Sequence, residues 1–143
     1  MATQTRFHRD VLQWSRSVIS ALIFLQDTND ANGGTKIIPS SQYFPFVNSR
    51  PGDLPKHAGT WLDEYEIYDG LDAQALTVSM LKGEILLMDS LVFHTPTVNT
   101  TANIRYAVAG AYYSSDELVP TVGEHTVLIS GIRTYCGNEY NWE

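Results

Sequence analysis

An all-β sandwich or barrel is the fold class this sequence predicts, and three observations predict it. Short runs rich in branched and aromatic residues recur along the chain, Gly, Pro, Asn and Asp separate them, and no sustained helical period appears. A chain of 143 residues, 43% of them apolar, can build one domain with a proper core but not two, so residues 1–143 read as a single domain.

The elements follow in order. Arg6-Phe7-His8-Arg9-Asp10 reads as a strand, and the period of two puts His8 and Asp10 on one face with Arg9 pointing away. Val11 to Ser17 is a connector anchored by Trp14. Val18 to Leu25 is apolar almost throughout and bounded by Asp27-Thr28-Asn29-Asp30, the pattern of a buried strand. Asn32-Gly33-Gly34 supplies a turn and Thr35 to Ile38 a second strand ended by Pro39, so the two runs look like a hairpin-type pair.

From Ser40 to Asp72 the pattern dissolves into Pro, Gly, Asp and aromatic residues. A connection of this length suits a lid or binding loop, with a helical turn at Trp61 to Tyr65 and a solvent-exposed His57. Strand-like runs resume at Leu76 to Met80, Glu84 to Met88 and Leu91 to His94. The last long one, Arg105 to Tyr113, carries Arg105, Ala107, Ala109 and Ala111 on one face, and those small side chains leave room beside the arginine. The runs ending at His94 and starting at Arg105 read as neighbouring antiparallel strands. His125 to Ile129 is a further candidate strand, with His125 structural, and no repeat or low-complexity segment appears.

Composition excludes several functions. A net charge of −7, with acidic residues concentrated from Asp53 to Asp72, argues against a nucleic-acid partner. The basic group Arg6, Arg9 and Arg16 reads as solvated surface. The longest apolar run, Val18 to Leu25, is far too short for a membrane span, and no apolar signal segment begins the chain, so a soluble, cytoplasmic protein without a membrane partner is expected. Cys136 is the single cysteine, which rules out an internal disulfide framework and fits a reducing compartment.

Four residues are candidates for the chemistry. His8-x-Asp10 alone is a pattern that occurs by chance in many soluble proteins, but with His94 it offers two histidines and one carboxylate, the donor types that a non-haem Fe(II) oxygenase uses while leaving positions open for a bidentate co-substrate and dioxygen. Arg105 adds the planar, two-bonded clamp that the far end of a dicarboxylate needs.

The order His8-x-Asp10, then Gln26-Asp27-Thr28, Asn32-Gly33-Gly34-Thr35-Lys36-Ile37-Ile38-Pro39, Lys82-Gly83-Glu84-Ile85-Leu86-Leu87-Met88-Asp89, and His94 to Arg105 resembles the phytanoyl-CoA dioxygenase family of Fe(II)/2-oxoglutarate oxygenases, from about Phe7 to Tyr113. The resemblance implies a double-stranded β-helix (jelly-roll) core with few or no helices. It also implies Fe(II) held by His8, Asp10 and His94, and 2-oxoglutarate paired through its distal carboxylate with Arg105. The implied reaction is oxidative decarboxylation of the co-substrate to succinate and carbon dioxide, coupled to hydroxylation of a small molecule. Related halogenases have a small residue where Asp10 stands, so hydroxylation rather than halogenation is expected.

The chain departs from the family pattern in two places. Pro39-Ser40-Ser41-Gln42 stands where the family usually reads Pro-Gly-Ser-His, and His8 lacks the substantial segment that usually precedes it. A sheet edge left open by that difference would favour a homodimer. The competing reading is a non-catalytic jelly-roll that keeps the fold for binding or assembly. A cupin-like metal enzyme without 2-oxoglutarate would leave Arg105 unexplained. Tyr43, Phe44, Trp61, Tyr65 and Tyr68 are candidates for a substrate wall, and the acidic balance disfavours a coenzyme A thioester.

Overall fold

A computed structural model of the chain describes residues 6–10, 18–44, 70–114 and 129–131. Six strands form there: β1 (Ile19–Phe24), β2 (Thr35–Ile37), β3 (Leu76–Val78), β4 (Ile85–Asp89), β5 (His94–Pro96) and β6 (Ala107–Tyr112). The only helical elements among the described residues are single 3-10 turns at Ser41–Tyr43 and Leu71–Gln74. The predicted Trp61–Tyr65 turn, His57, Trp14 and most of the His125–Ile129 run lie outside the described residues.

The strands make two antiparallel three-stranded sheets, β4-β1-β6 and β3-β2-β5. This is the double-stranded β-helix arrangement, in which the chain passes between facing sheets instead of completing one before starting the next. Two sequence expectations fail for that reason. β1 and β2 are not a hairpin: β1 pairs with β4 and β6, and β2 with β3 and β5. The runs at His94 and Arg105 are not neighbours either, because β5 and β6 belong to different sheets. The strand after Arg105 also starts later than expected, at Ala107, and the Leu91–His94 run becomes a strand only at His94.

Register fixes which side chains face the interior. Ser20 opposes Met88 and Ala111, and Leu22 opposes Leu86 and Ala109, so these share one face of the β4-β1-β6 sheet. That face is the inner one, because Ser20 hydrogen-bonds Asp10 of the other layer. Val18, Phe24, Met88 and Val92 are buried with it. The other face carries Ile19, Ile85, Leu87, Val108 and Tyr112, all exposed, so β1 is less completely enclosed than its apolar run predicts. A second cluster, Ile38 and Phe93 packed against Phe7, Phe44, Leu71 and Ala75, backs the β3-β2-β5 sheet.

Ser40 holds the one left-handed non-glycine backbone among the described residues, at φ 64°. It sits where the family pattern has glycine. The turn shape is therefore kept and a serine bears the conformational cost.

Candidate metal centre

His8 and His94 face each other across the sheet. Each backbone N–H donates to the other's carbonyl, both at 3.0 Å, which places His94 between Ile37 of β2 on one side and His8 on the other. Asp10 N–H donates to the Ser90 carbonyl, and Ser90 N–H in turn to that of Val18, so the corner between the sheets is held next to the carboxylate. The expected period of two then puts His8 and Asp10 on one side of their segment.

The side chains converge. His94 Nε2 is 3.4 Å and His8 Nε2 is 3.8 Å from Asp10 Oδ1, and the donor atoms of all three residues lie within 4.8 Å of one another. Both rings are oriented in the same manner: His8 Nδ1 is 3.0 Å from the Arg6 carbonyl, and His94 Nδ1 is 3.0 Å from the Val92 carbonyl. A carbonyl only accepts, so Nδ1 carries the proton in each neutral ring and Nε2 presents its lone pair to the common point. The Ser20 hydroxyl donates to Asp10 Oδ2, leaving Oδ1 turned toward the imidazoles.

Without a cation the three groups polarise one another. Burial lowers the His8 pKa below its ordinary value, and the neighbouring His94 adds to that. Burial is the largest single influence on His94 and opposes its charge, but the hydrogen bond and charge of Asp10 and the Val92 carbonyl together outweigh it and the pKa is raised. For Asp10, burial works against the carboxylate, yet His94, Ser20 and His8 together hold its pKa below the usual value. An anion therefore faces a proton-binding imidazole at the spot where the donor set suits a divalent cation.

Arg105 lies just before β6, half-buried, where the period of two predicts the face of Ala107, Ala109 and Ala111. Its Nε is 3.3 Å from where a β-carbon on Gly33 would stand, and the Thr97 carbonyl is 3.6 Å from that same point. Thr97 is three residues along from His94, a distance of about 10 Å on an extended strand. That is on the order of the reach of a five-carbon dicarboxylate plus one coordination bond and one hydrogen bond. No carboxylate among the described residues pairs with Arg105. The donor set and the spacing thus fit a metal at one end and a dicarboxylate clamp at the other.

Three contributors escape a sequence reading. Gln26 donates to the Ile104 carbonyl at 2.7 Å and accepts from Tyr106 N–H at 3.3 Å, bracketing the backbone of Arg105. Ser20 orients Asp10 from the middle of an apolar strand, where a lone serine is the only signal. Arg9, read as solvated surface, is 1% exposed. It points away from the donor atoms as expected, but into the packing behind the sheet and not into water.

Residues 1–107 match the family described as Phytanoyl-CoA dioxygenase (PhyH). The chain belongs to the phytanoyl-CoA dioxygenase family. Fe(II) and 2-oxoglutarate are the metal and co-substrate that this membership brings with it, and the His-Asp-His cluster is a candidate place for the metal. Solved structures of the same fold include AviO1 from Streptomyces viridochromogenes Tue57, with a TM-score of 0.61 at 20% identity over 82% of this chain and 46% of that one. They also include the epimerase SnoN in complex with Fe3+, alpha ketoglutarate and nogalamycin RO, with a TM-score of 0.61 at 22% identity over 79% of this chain and 43% of that one. A third is the non-heme alpha ketoglutarate dependent carbocyclase SnoK, at TM-score 0.58 and 17% identity over 78% and 43%. The chain therefore spans less than half the length of these family-fold structures. No curated protein matches it. No helix among the described residues is long and apolar enough to cross a membrane.

Proposed function

We propose that this chain is the oxygenase domain of an Fe(II)/2-oxoglutarate-dependent dioxygenase that hydroxylates a small molecule. In this reading His8, Asp10 and His94 hold Fe(II), Arg105 holds the distal carboxylate of 2-oxoglutarate, and residues 1–143 form one domain. One observation carries it: three donor atoms converge within 4.8 Å, with both histidines locked in the tautomer that frees Nε2.

The metal, when bound, supplies the activation of dioxygen that the protein side chains cannot perform. The overall change is balanced as substrate C–H, dioxygen and 2-oxoglutarate going to alcohol, succinate and carbon dioxide. The residues of the chain do the rest. The Arg6 and Val92 carbonyls hold the imidazole protons at Nδ1, and Ser20 fixes the carboxylate plane of Asp10. Together they supply two neutral donors and one anion from one side, so the opposite side is left for co-substrate and dioxygen. Arg105 orients the co-substrate by its far end, and the alanine face beside it gives the chain of that molecule room to lie along β6. Asp10 fills the coordination position that a halide would need, which favours hydroxylation over halogenation.

The assay is succinate release dependent on both metal and 2-oxoglutarate, followed by analysis of the coupled product. Asp10→Ala and His94→Ala are expected to abolish it, and retention of activity in either would remove that residue from the centre. Arg105→Ala is expected mainly to raise the 2-oxoglutarate requirement, and an unchanged requirement would place the clamp elsewhere. Product analysis separates hydroxylation from epimerisation or ring closure, the outcomes named for two proteins of this fold.

A further inference from the structure

We propose that Arg9 is a positioning residue of the metal centre, setting the spacing between the His8–Asp10 segment and His94. This rests on the Fe(II) reading above. Two of the three donors sit on a segment joined to its neighbour by three backbone hydrogen bonds among the described residues: the reciprocal His8–His94 pair and Asp10 N–H to the Ser90 carbonyl.

Arg9 supplies a second attachment on the other face. Its Nη2 donates to the carbonyls of Ser41 at 2.8 Å and Phe44 at 3.0 Å, and its Cζ stands 4.4 Å from the centre of the Phe93 ring. Phe93 immediately precedes His94, just as Arg9 lies between His8 and Asp10. Phe93 N–H is itself bound to Ser41 Oγ at 2.8 Å, and Phe93 O accepts from Ile38 N–H. Arg9, Ser41 and Phe93 are thus linked to one another behind the sheet, and each of the three donor residues adjoins a member of this group.

Packing alone does not account for a guanidinium here. Methionine has similar length and would fill the space without the cost of burying a charge. A guanidinium makes contact at once with two carbonyls and an aromatic face, which methionine cannot, and this fixes position along and across the strand. The three ligands must meet within a few tenths of an ångström for tight metal binding, so a clamp one residue from each of them acts directly on affinity.

Cobalt(II) binding tests the inference without reference to turnover. Affinity and the visible bands of the bound cobalt are measured in the unsubstituted chain, Arg9→Met and Arg9→Lys. Phe24→Leu, a core change on β1, serves as a control for general loss of stability. The expected result is a fall in affinity of about 10- to 100-fold in Arg9→Met with altered band intensity, an intermediate value in Arg9→Lys, and unsubstituted-like binding in Phe24→Leu. Should Arg9→Met not fold, Arg9→Lys against Phe24→Leu decides the matter on the same criterion. Unsubstituted-like cobalt binding in the Arg9 variants, or an equal loss in Phe24→Leu, would overturn the role of Arg9 alone. A failure of the unsubstituted chain to bind cobalt would overturn the metal reading itself.

Discussion

Adjacent glycines in the Asn32-Gly33-Gly34 turn should fail in different ways when each is replaced by alanine. Gly33 has φ +89°, so alanine there takes a left-handed backbone at a cost of about 1–2 kcal/mol. Its new β-carbon would stand 3.3 Å from Arg105 Nε, a long side chain that can give way. The guanidinium shifts, and one of the two bonds of its carboxylate clamp is compromised. The loss of one charge-assisted hydrogen bond, about 1.5 kcal/mol, raises the 2-oxoglutarate requirement roughly tenfold.

Gly34 differs in kind. A β-carbon there would lie 2.6 Å from the Asn29 carbonyl oxygen, which already accepts from Gly34 N–H at 2.8 Å and Asn32 N–H at 3.4 Å. Backbone cannot swing aside as an arginine does, and displacing that carbonyl forfeits the turn's hydrogen bonds, about 2 kcal/mol or more. Thermal melts combined with anaerobic 2-oxoglutarate titration by calorimetry on the cobalt-loaded chain check both. Gly33→Ala should lower Tm by about 3–7 °C and weaken co-substrate binding; Gly34→Ala should lower Tm further. Co-substrate binding unchanged in a folded Gly33→Ala chain would refute the placement of Arg105 as the clamp.

Other predictions can be checked independently. In the metal-free chain, histidine NMR titration should give a midpoint above the ordinary value of about 6.5 for His94, held up by Asp10 against burial, and one below it for His8, held down by burial. The stabilising effect of the His94–Asp10 pair is then fully present between the ordinary carboxylate value of 3.8 and the ordinary imidazole value of 6.5, is lost as pH rises through the raised His94 value, and is lost as pH falls through the lowered Asp10 value. Metal binding has the opposite sign with respect to His94, since it needs the neutral ring; affinity for cobalt should fall on acidification first through this residue, and in Asp10→Asn the His94 midpoint should move down. Ser40→Gly should raise stability by up to about 1 kcal/mol, because the left-handed cost at φ 64° outweighs the added freedom of the unfolded chain; a lower Tm would show that the serine is not strained.

The parts of the site that rest on local periodicity were legible in the sequence. A period of two puts His8 and Asp10 side by side, and it puts Arg105 on the alanine face that register later shows opposite Ser20, Leu22 and Phe24. The apolar run Val18–Leu25 gave β1 within a residue at each end. What failed was pairing. A turn such as Asn32-Gly33-Gly34 invites a hairpin reading, but the turn's glycines serve close approach to Asn29 and Arg105, while β1 finds its partners 62 to 93 residues away. Non-local pairing leaves no mark in a short window. The burial of Arg9 leaves no local mark for a related reason: a charged residue next to other charged residues looks solvated, and only the fold brings Ser41, Phe44 and Phe93 around it.

Anaerobic titration of the chain with Fe(II) and then 2-oxoglutarate tests the central claim most directly. The account predicts a metal-to-ligand charge-transfer band in the visible that requires both components, is absent in Asp10→Ala and His94→Ala, and appears only at higher 2-oxoglutarate in Arg105→Ala. A folded chain that shows no such band, or one in which the band survives loss of Asp10 or His94, would contradict it.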